Sequence, residues 1–264
     1  MNLIKPKKSL GQNFLIDKNV IDLIINAGNI KNNDVVFEVG PGTGNLTEKI
    51  LEKNPKKIFA IEKDKFLIKK LNEKFKEKIS LINDDILKID EKKCSERPIV
   101  VFGNLPYNIS TQILIKWIRY NNLNNTFKKF ILMFQKEVAE RITAKINSKN
   151  YGRLSVLSSW KLKVKKVTDV SPNSFYPIPK VKSTVLLIEP KKEYFDLKNT
   201  RNLEYITNIF FNQRRKMVKK PLNILFKNSE EISKKLNINL NYRPQNLSSL
   251  KYFEICKEYE NLIS

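Results

Sequence analysis

"EVGPGTGN", residues 38–45, places three of the chain's seven glycines within five positions. A run of apolar β-formers, Val35–Val39, leads into it, and an amphipathic stretch, Leu46–Leu51, follows it. The spacing predicts a strand, a tight turn and a helix in succession. Glycine in such a turn lets the backbone reverse and lets a ligand approach the main chain closely. The pattern G-x-G-x-G is one residue shorter than the dinucleotide fingerprint G-x-G-x-x-G, which disfavours a phosphate cradle.

Outward from this turn, further strands are expected at Ile58–Ile61, Ile79–Ile82, Ile99–Phe102, Phe130–Phe134, Lys163–Val167 and Thr184–Ile188. Helical periodicity marks Phe66–Phe75 and Gln112–Tyr120. Alternation of this kind predicts an α/β fold, a mainly parallel sheet covered by helices on both faces. "EPKK" at 189–192 reads as a boundary between a domain over 1–190 and a small all-helical domain over 191–264. The latter carries "LEYITNIFFNQRRKMVKKPLNILF" and "NLSSLKYFEICKEYENLI", both read as helical.

Glu62 ends the second expected strand and Asp85 follows the third. A carboxylate in the first position suits the two hydroxyls of a ribose, and one in the second suits an adenine amino group. Together with the glycine turn they converge on one crevice at the carboxyl ends of the strands. NAD and S-adenosylmethionine both remain open at this point.

The fourth strand runs out into "GNLPY", residues 103–107. An exocyclic adenine amine is a poor nucleophile, because its lone pair is delocalised into the ring. Two acceptors gripping its two N–H groups draw the nitrogen toward a tetrahedral form, and the Asn104 side-chain oxygen and the Leu105 carbonyl are candidates. Pro106 stiffens the turn, and Tyr107 offers a face on which the base stacks. The methylated nitrogen can release its proton to water, so no general base is needed. The chain contains no histidine, which excludes Ser-His-Asp chemistry and nearly all zinc sites.

Fifty Lys and Arg against 27 Asp and Glu leave a formal charge of +23, which points to a polyanionic partner. Cys94 and Cys256 have no metal-ligand spacing and fit a reducing cytoplasm. The first residues show no secretory leader, and apolar runs such as "FILMF" at 130–134 are too short to span a bilayer.

With these motifs in view, the sequence resembles the KsgA-type ribosomal RNA small-subunit adenine dimethyltransferases. "GQNFL" (11–15), "EVGPGTGNLT" (38–47), "NLPYNIST" (104–111), "YGRLSVL" (151–157), "FYPIPKVKST" (175–184) and "FNQRRK" (211–216) carry the resemblance in order. It implies a Rossmann-like, S-adenosylmethionine-dependent methyltransferase domain with a small helical C-terminal domain, and no metal. The implied substrate is two adjacent adenosines in the 3′-terminal hairpin loop of small-subunit rRNA, each dimethylated on N6. The implied setting is an immature subunit in the cytoplasm, with the enzyme a monomer. By motif position Asn13, Leu15, Gly40, Gly42, Glu62, Asp85 and Asn104 would contact the cofactor. Asn104, Leu105, Pro106 and Tyr107 would form the target site, with Phe175 as its second aromatic wall. Arg153, Arg214, Arg215 and Lys216 would face RNA, the last three read as carried on a helix toward phosphates. The Erm type, which methylates an adenosine of large-subunit rRNA, shares most of these motifs, and "FNQRRK" argues for the KsgA type. A non-catalytic ribosome assembly factor and a nicotinamide dehydrogenase are the readings from other classes.

Overall fold

Val35–Val39 bury all five side chains, as a strand covered on both faces must. It is the first strand of the main sheet in a computed structural model that describes residues 6, 7 and 10–263. The start of the stretch read for a leader, residues 1–5, 8 and 9, lies outside the described residues. Among the described residues the sheet has seven strands: β1 (Val35–Val39), β2 (Lys57–Ile61), β3 (Ser80–Ile82), β4 (Ile99–Asn104), β5 (Phe127–Gln135), β6 (Leu162–Val170) and β7 (Ser183–Pro190). Their spatial order is 3-2-1-4-5-7-6. β3, β2, β1, β4 and β5 run parallel, and β7 lies antiparallel to β5 with Phe130 opposite Ile188. Each strand expected from the sequence is present, mostly lengthened by a few residues at its ends. The order reverses between β1 and β4, and that switch point opens the crevice at their carboxyl ends.

A two-residue ribbon, Phe14–Leu15 against Phe175–Tyr176, stands apart from the sheet. Its neighbour, the helix Lys18–Gly28, is capped by Asp17, which accepts from the backbone N–H of Asn19 and Val20. Ile21, Ile24 and Ile25 of that helix pack with Val36, Phe102 and Ile131 in the core.

The chain divides into two compact units. One runs to Ala139 and resumes over Val164–Pro190; the other comprises Glu140–Lys163 and resumes at Lys191. The expected boundary at 190 is thus one of three crossings. Residues 140–163 fall with the helical unit because the helix Arg153–Lys161 buries Val156, Leu157 and Trp160. In the same unit Thr200–Asn212 buries Leu203, Ile206 and Phe210. Ser249–Leu262 sets Tyr252 against Phe210, edge-on at 5.3 Å. The run 203–226, expected to be helical, holds two helices, Thr200–Asn212 and Lys219–Leu225, with a turn between them. No helix among the described residues is long and apolar enough to cross a membrane.

Candidate active site

The turn after β1 carries Gly40, Gly42 and Gly44 at φ +68, +59 and +82°. These are left-handed conformations that a side chain adopts only with strain. At Gly42 a Cβ would stand 2.8 Å from the Phe14 ring, whereas at Gly40 it would meet only the Asn104 carbonyl, 3.8 Å away. The room left at Gly40 belongs to a cavity that the glycine turn lines together with residues 10–15, 84–86 and 103–109.

In a chain of charge +23 this cavity is acidic. Among the described residues its ionisable lining is Glu38, Glu62, Asp84, Asp85 and the Tyr107 phenol, with Lys63 as the basic member. Glu38, on β1, is 1% exposed and accepts a 2.6 Å hydrogen bond from the Thr47 hydroxyl. Burial raises its pKa to about 7, against the opposing pull of Thr47, and the Glu62 charge adds to the rise. Glu62 follows β2. Burial raises its carboxyl too, opposed by backbone N–H groups of Asp64, Gly42 and Lys63, the first at 2.9 Å. Asp85 follows β3 and is held below the usual carboxylate range, first by Lys63, whose ammonium lies 2.8 Å away, then by the Leu87 N–H.

Asn104 is the last residue of β4. Its Nδ2 donates to the Asn13 carbonyl at 2.7 Å, which fixes the amide and directs Oδ1 away from that contact. No hydrogen bond to Oδ1 is found among the described residues. Leu105 is buried, and the Pro106 carbonyl accepts from the Ile109 N–H at 3.1 Å, closing the turn. Tyr107 shares a 2.6 Å hydrogen bond with the Ser183 hydroxyl at the start of β7, which pins the ring. Asn13 and Leu15 line the cavity, and Asn45 Nδ2 ties the Leu15 carbonyl to the helix after the glycine turn at 2.8 Å. The cavity therefore brings together Asn13, Leu15, Gly40, Gly42, Glu62, Asp85 and Asn104–Tyr107. Phe175 is not among its lining residues: it is 1% exposed and packs in the core with Leu15, Ile21 and Val185. Its ribbon partner Leu15 turns inward at the same register, which is why this ring faces the core.

The basic residues of the helical unit divide. Arg214 Nη2 donates to the Lys149 and Ser148 carbonyls at 2.6 and 3.3 Å. Arg153 Nη1 donates to Asn208 at 3.0 Å and is otherwise exposed. Arg215 and Lys216 are exposed. The last three of the "NQRRK" run lie in a turn rather than on a helix, because the helix ends at Asn212 and Gln213 leaves helical geometry. Glu38 and Ser183 escaped the sequence reading of the site. Glu38 sits inside the quoted glycine motif but reads as a strand residue, and Ser183 gains its role only through a partner 76 residues away.

A doubly wound sheet of order 3-2-1-4-5-7-6, with glycine turn, acid and amide at the ends of β1, β2 and β4, defines a Rossmann-like methyltransferase. A model of the ribosomal RNA adenine dimethylase family matches residues 4–261, and the chain belongs to that family. It is 56% identical to "Ribosomal RNA small subunit methyltransferase A" of Pelagibacter ubique over 259 residues, 98% of each chain. It is 45% identical to the protein of that name from Ehrlichia ruminantium, over 96% of this chain and 97% of the other. Among solved structures, a dimethyladenosine transferase from Plasmodium falciparum superposes with a TM-score of 0.78 at 28% identity, covering 94% of this chain and 98% of that one. The 23S rRNA methyltransferase ErmE shares the fold at a TM-score of 0.68 and 23% identity, over 93% of this chain and 100% of that one.

Proposed function

We propose that this chain uses S-adenosylmethionine to place two methyl groups on N6 of each of two adjacent adenosines in the 3′-terminal hairpin loop of small-subunit rRNA. It acts as a monomer on an immature subunit in the cytoplasm. The observation that carries this reading is the turn after β4, where one edge of the Asn104 amide is pinned and the Tyr107 ring is anchored beside an acid-lined cavity.

The lining fits the cofactor. Glu62, Asp84 and Asp85 against one lysine, itself paired with Asp85, favour a cationic ligand and oppose the pyrophosphate of a dinucleotide. When bound, S-adenosylmethionine supplies a methyl group on a positively charged sulfur. Glu62 would hold the ribose hydroxyls and Asp85 the adenine, with Gly40, Gly42, Asn13 and Leu15 packed against the remainder. Asn104 Oδ1 and the Leu105 carbonyl accept the two N–H bonds of the target amine and aim its lone pair. Tyr107 stacks on the extruded base, an interaction typically worth about 1–3 kcal/mol. Alignment of amine and donor supplies the main rate enhancement, and the proton leaves to water. Arg153, Arg215 and Lys216 meet phosphates, while Arg214 holds its own unit together.

The likeness to ErmE in fold leaves a second rRNA as the rival substrate. Incubation of undermethylated small and large subunits with methyl-labelled cofactor, followed by mapping of the modified nucleotides, tests the proposal. Two adjacent dimethyladenosines in small-subunit RNA are expected. Label confined to large-subunit RNA would support the rival, and no label in either would leave an assembly factor.

A further inference from the structure

Ahead of the Phe14–Leu15 ribbon strand, residues 10–13 line the cavity and tie two of its groups together. Lys7 Nζ donates to Asp64 Oδ1 at 2.7 Å and Gln12 Nε2 to Asp64 Oδ2 at 2.9 Å. Gln12 Oε1 accepts from the Lys7 N–H at 2.7 Å, so the two donors are locked to each other as well. Asp64 is 2% exposed in its side chain. Burial works to raise its carboxyl, and the bonds from Lys7, Gln12 and the Phe66 N–H outweigh it and hold the group ionised. Its own N–H donates to Glu62 Oε1 at 2.9 Å. Beside Gln12, Gly11 lies against the target turn, where a Cβ would lie 3.4 Å from Asn108 Oδ1 and 3.8 Å from Pro106 Cβ. The Asn13 carbonyl there takes the Asn104 amide. One unbroken series of bonds thus runs from the ribose acceptor Glu62, through Asp64 and the segment, to Asn104.

We propose that Asp64 is a positioning residue that latches Gln12 and Asn13 in place, so that the group holding the cofactor and the group gripping the target amine are set by one series of bonds. The inference rests on the methyltransferase reading for its consequence and on the hydrogen bonds alone for the latch. Asp64 also caps the helix Lys65–Phe75, and asparagine caps as well as aspartate. Asp64→Asn therefore keeps Oδ1 on the Phe66 N–H, removes the charge that faces Lys7 and turns an N–H₂ toward Gln12, which needs an acceptor. Lys7→Ala with Gln12→Ala removes both bonds from the other side and leaves Asp64 intact.

Amide exchange over residues 10–14, measured without ligand, tests the latch; calorimetry with S-adenosylhomocysteine and single-turnover methylation at saturating cofactor test its consequence. Both variants should exchange faster across the segment at an unchanged melting temperature. Each should bind S-adenosylhomocysteine about tenfold more weakly and also lose about tenfold in the rate at saturation, as expected for bonds to a charged group. Lys7→Arg, which preserves a donor to the carboxylate, should restore all three readouts. Unchanged exchange in both variants overturns the latch, and faster exchange with binding and rate within twofold of the parent overturns its role. If the parent protein itself binds no S-adenosylhomocysteine, the methyltransferase reading falls and the proposed positioning role falls with it. The exchange data still decide the latch.

Discussion

The turns Asn104–Tyr107 and Gln213–Lys216 follow a strand and a helix, one in each unit, and use their polar side chains in opposite ways. Asn104 donates one edge of its amide to the Asn13 carbonyl, and its oxygen is directed elsewhere. Arg214 commits its guanidinium to the backbone carbonyls of Lys149 and Ser148, in the segment that joins the helical unit from earlier in the chain. The first arrangement orients a group for a ligand; the second holds the fold. A side chain braced at its back and open at its front is poised for chemistry, and one braced at its front is not.

That contrast is broken if the open edge does nothing. Asn104→Ala removes an acceptor aimed at the reacting amine and should lower single-turnover methylation by about a thousandfold. S-adenosylhomocysteine binding, measured by calorimetry, should remain within a few-fold. A rate near the parent's would show that the amide is structural like Arg214.

Glu38 sharpens the contrast through stability. Desolvation raises its carboxyl from an ordinary 4.5 to about 7 in the folded chain, so between those values the native state holds a proton that the unfolded chain has lost. Stability therefore falls as pH rises from the lower value through the higher, by about 3 kcal/mol in all for this one group. Glu38→Gln keeps the Thr47 hydroxyl bonded and removes the ionisation. The melting temperature of the variant relative to the parent should rise steadily from about pH 5 to about pH 8. A flat difference would mean that the cavity carries its acids at no cost. Tyr107→Ala comes next, with a loss of about 5- to 150-fold in methylation from the stacking surface. Ser183→Ala, which frees the ring without removing it, should lose less, and equal losses would place the effect in the hydrogen bond.

The centre of the sheet was legible because its strands are buried on both faces, so that VVFEV or IVVF reads as a continuous apolar run. The site's frame was legible for a related reason: glycines at positive φ, and an Asn-Leu-Pro-Tyr turn, are local chemistry that a sequence displays directly. What was hidden depends on partners far along the chain. Nothing in "YGRLSVL" shows that residues 140–163 join the helical unit, since that follows from packing against elements fifty and a hundred residues later. Phe175 reads as an aromatic wall, yet its ribbon pairing with Leu15 turns it into the core. Asp64, which caps a helix, drew no attention in the sequence because its hold on Lys7 and Gln12 spans more than fifty positions.

The smallest expected effects separate the two arginines themselves. Arg214→Ala leaves two backbone carbonyls without their charged donor and should lower unfolding free energy by about 1–3 kcal/mol, read by urea denaturation. Arg215→Ala touches an exposed side chain and should leave the denaturation midpoint in place. Its cost should appear in RNA binding: a few-fold loss at moderate salt, uniform across RNA sequences, with the slope of log affinity against log salt reduced by about one. If the roles are reversed, with Arg214→Ala stable and weak on RNA, its bonds to the backbone yield to phosphate when RNA arrives. The rule that a side chain braced at its front is structural would then fail for the residue on which it was drawn.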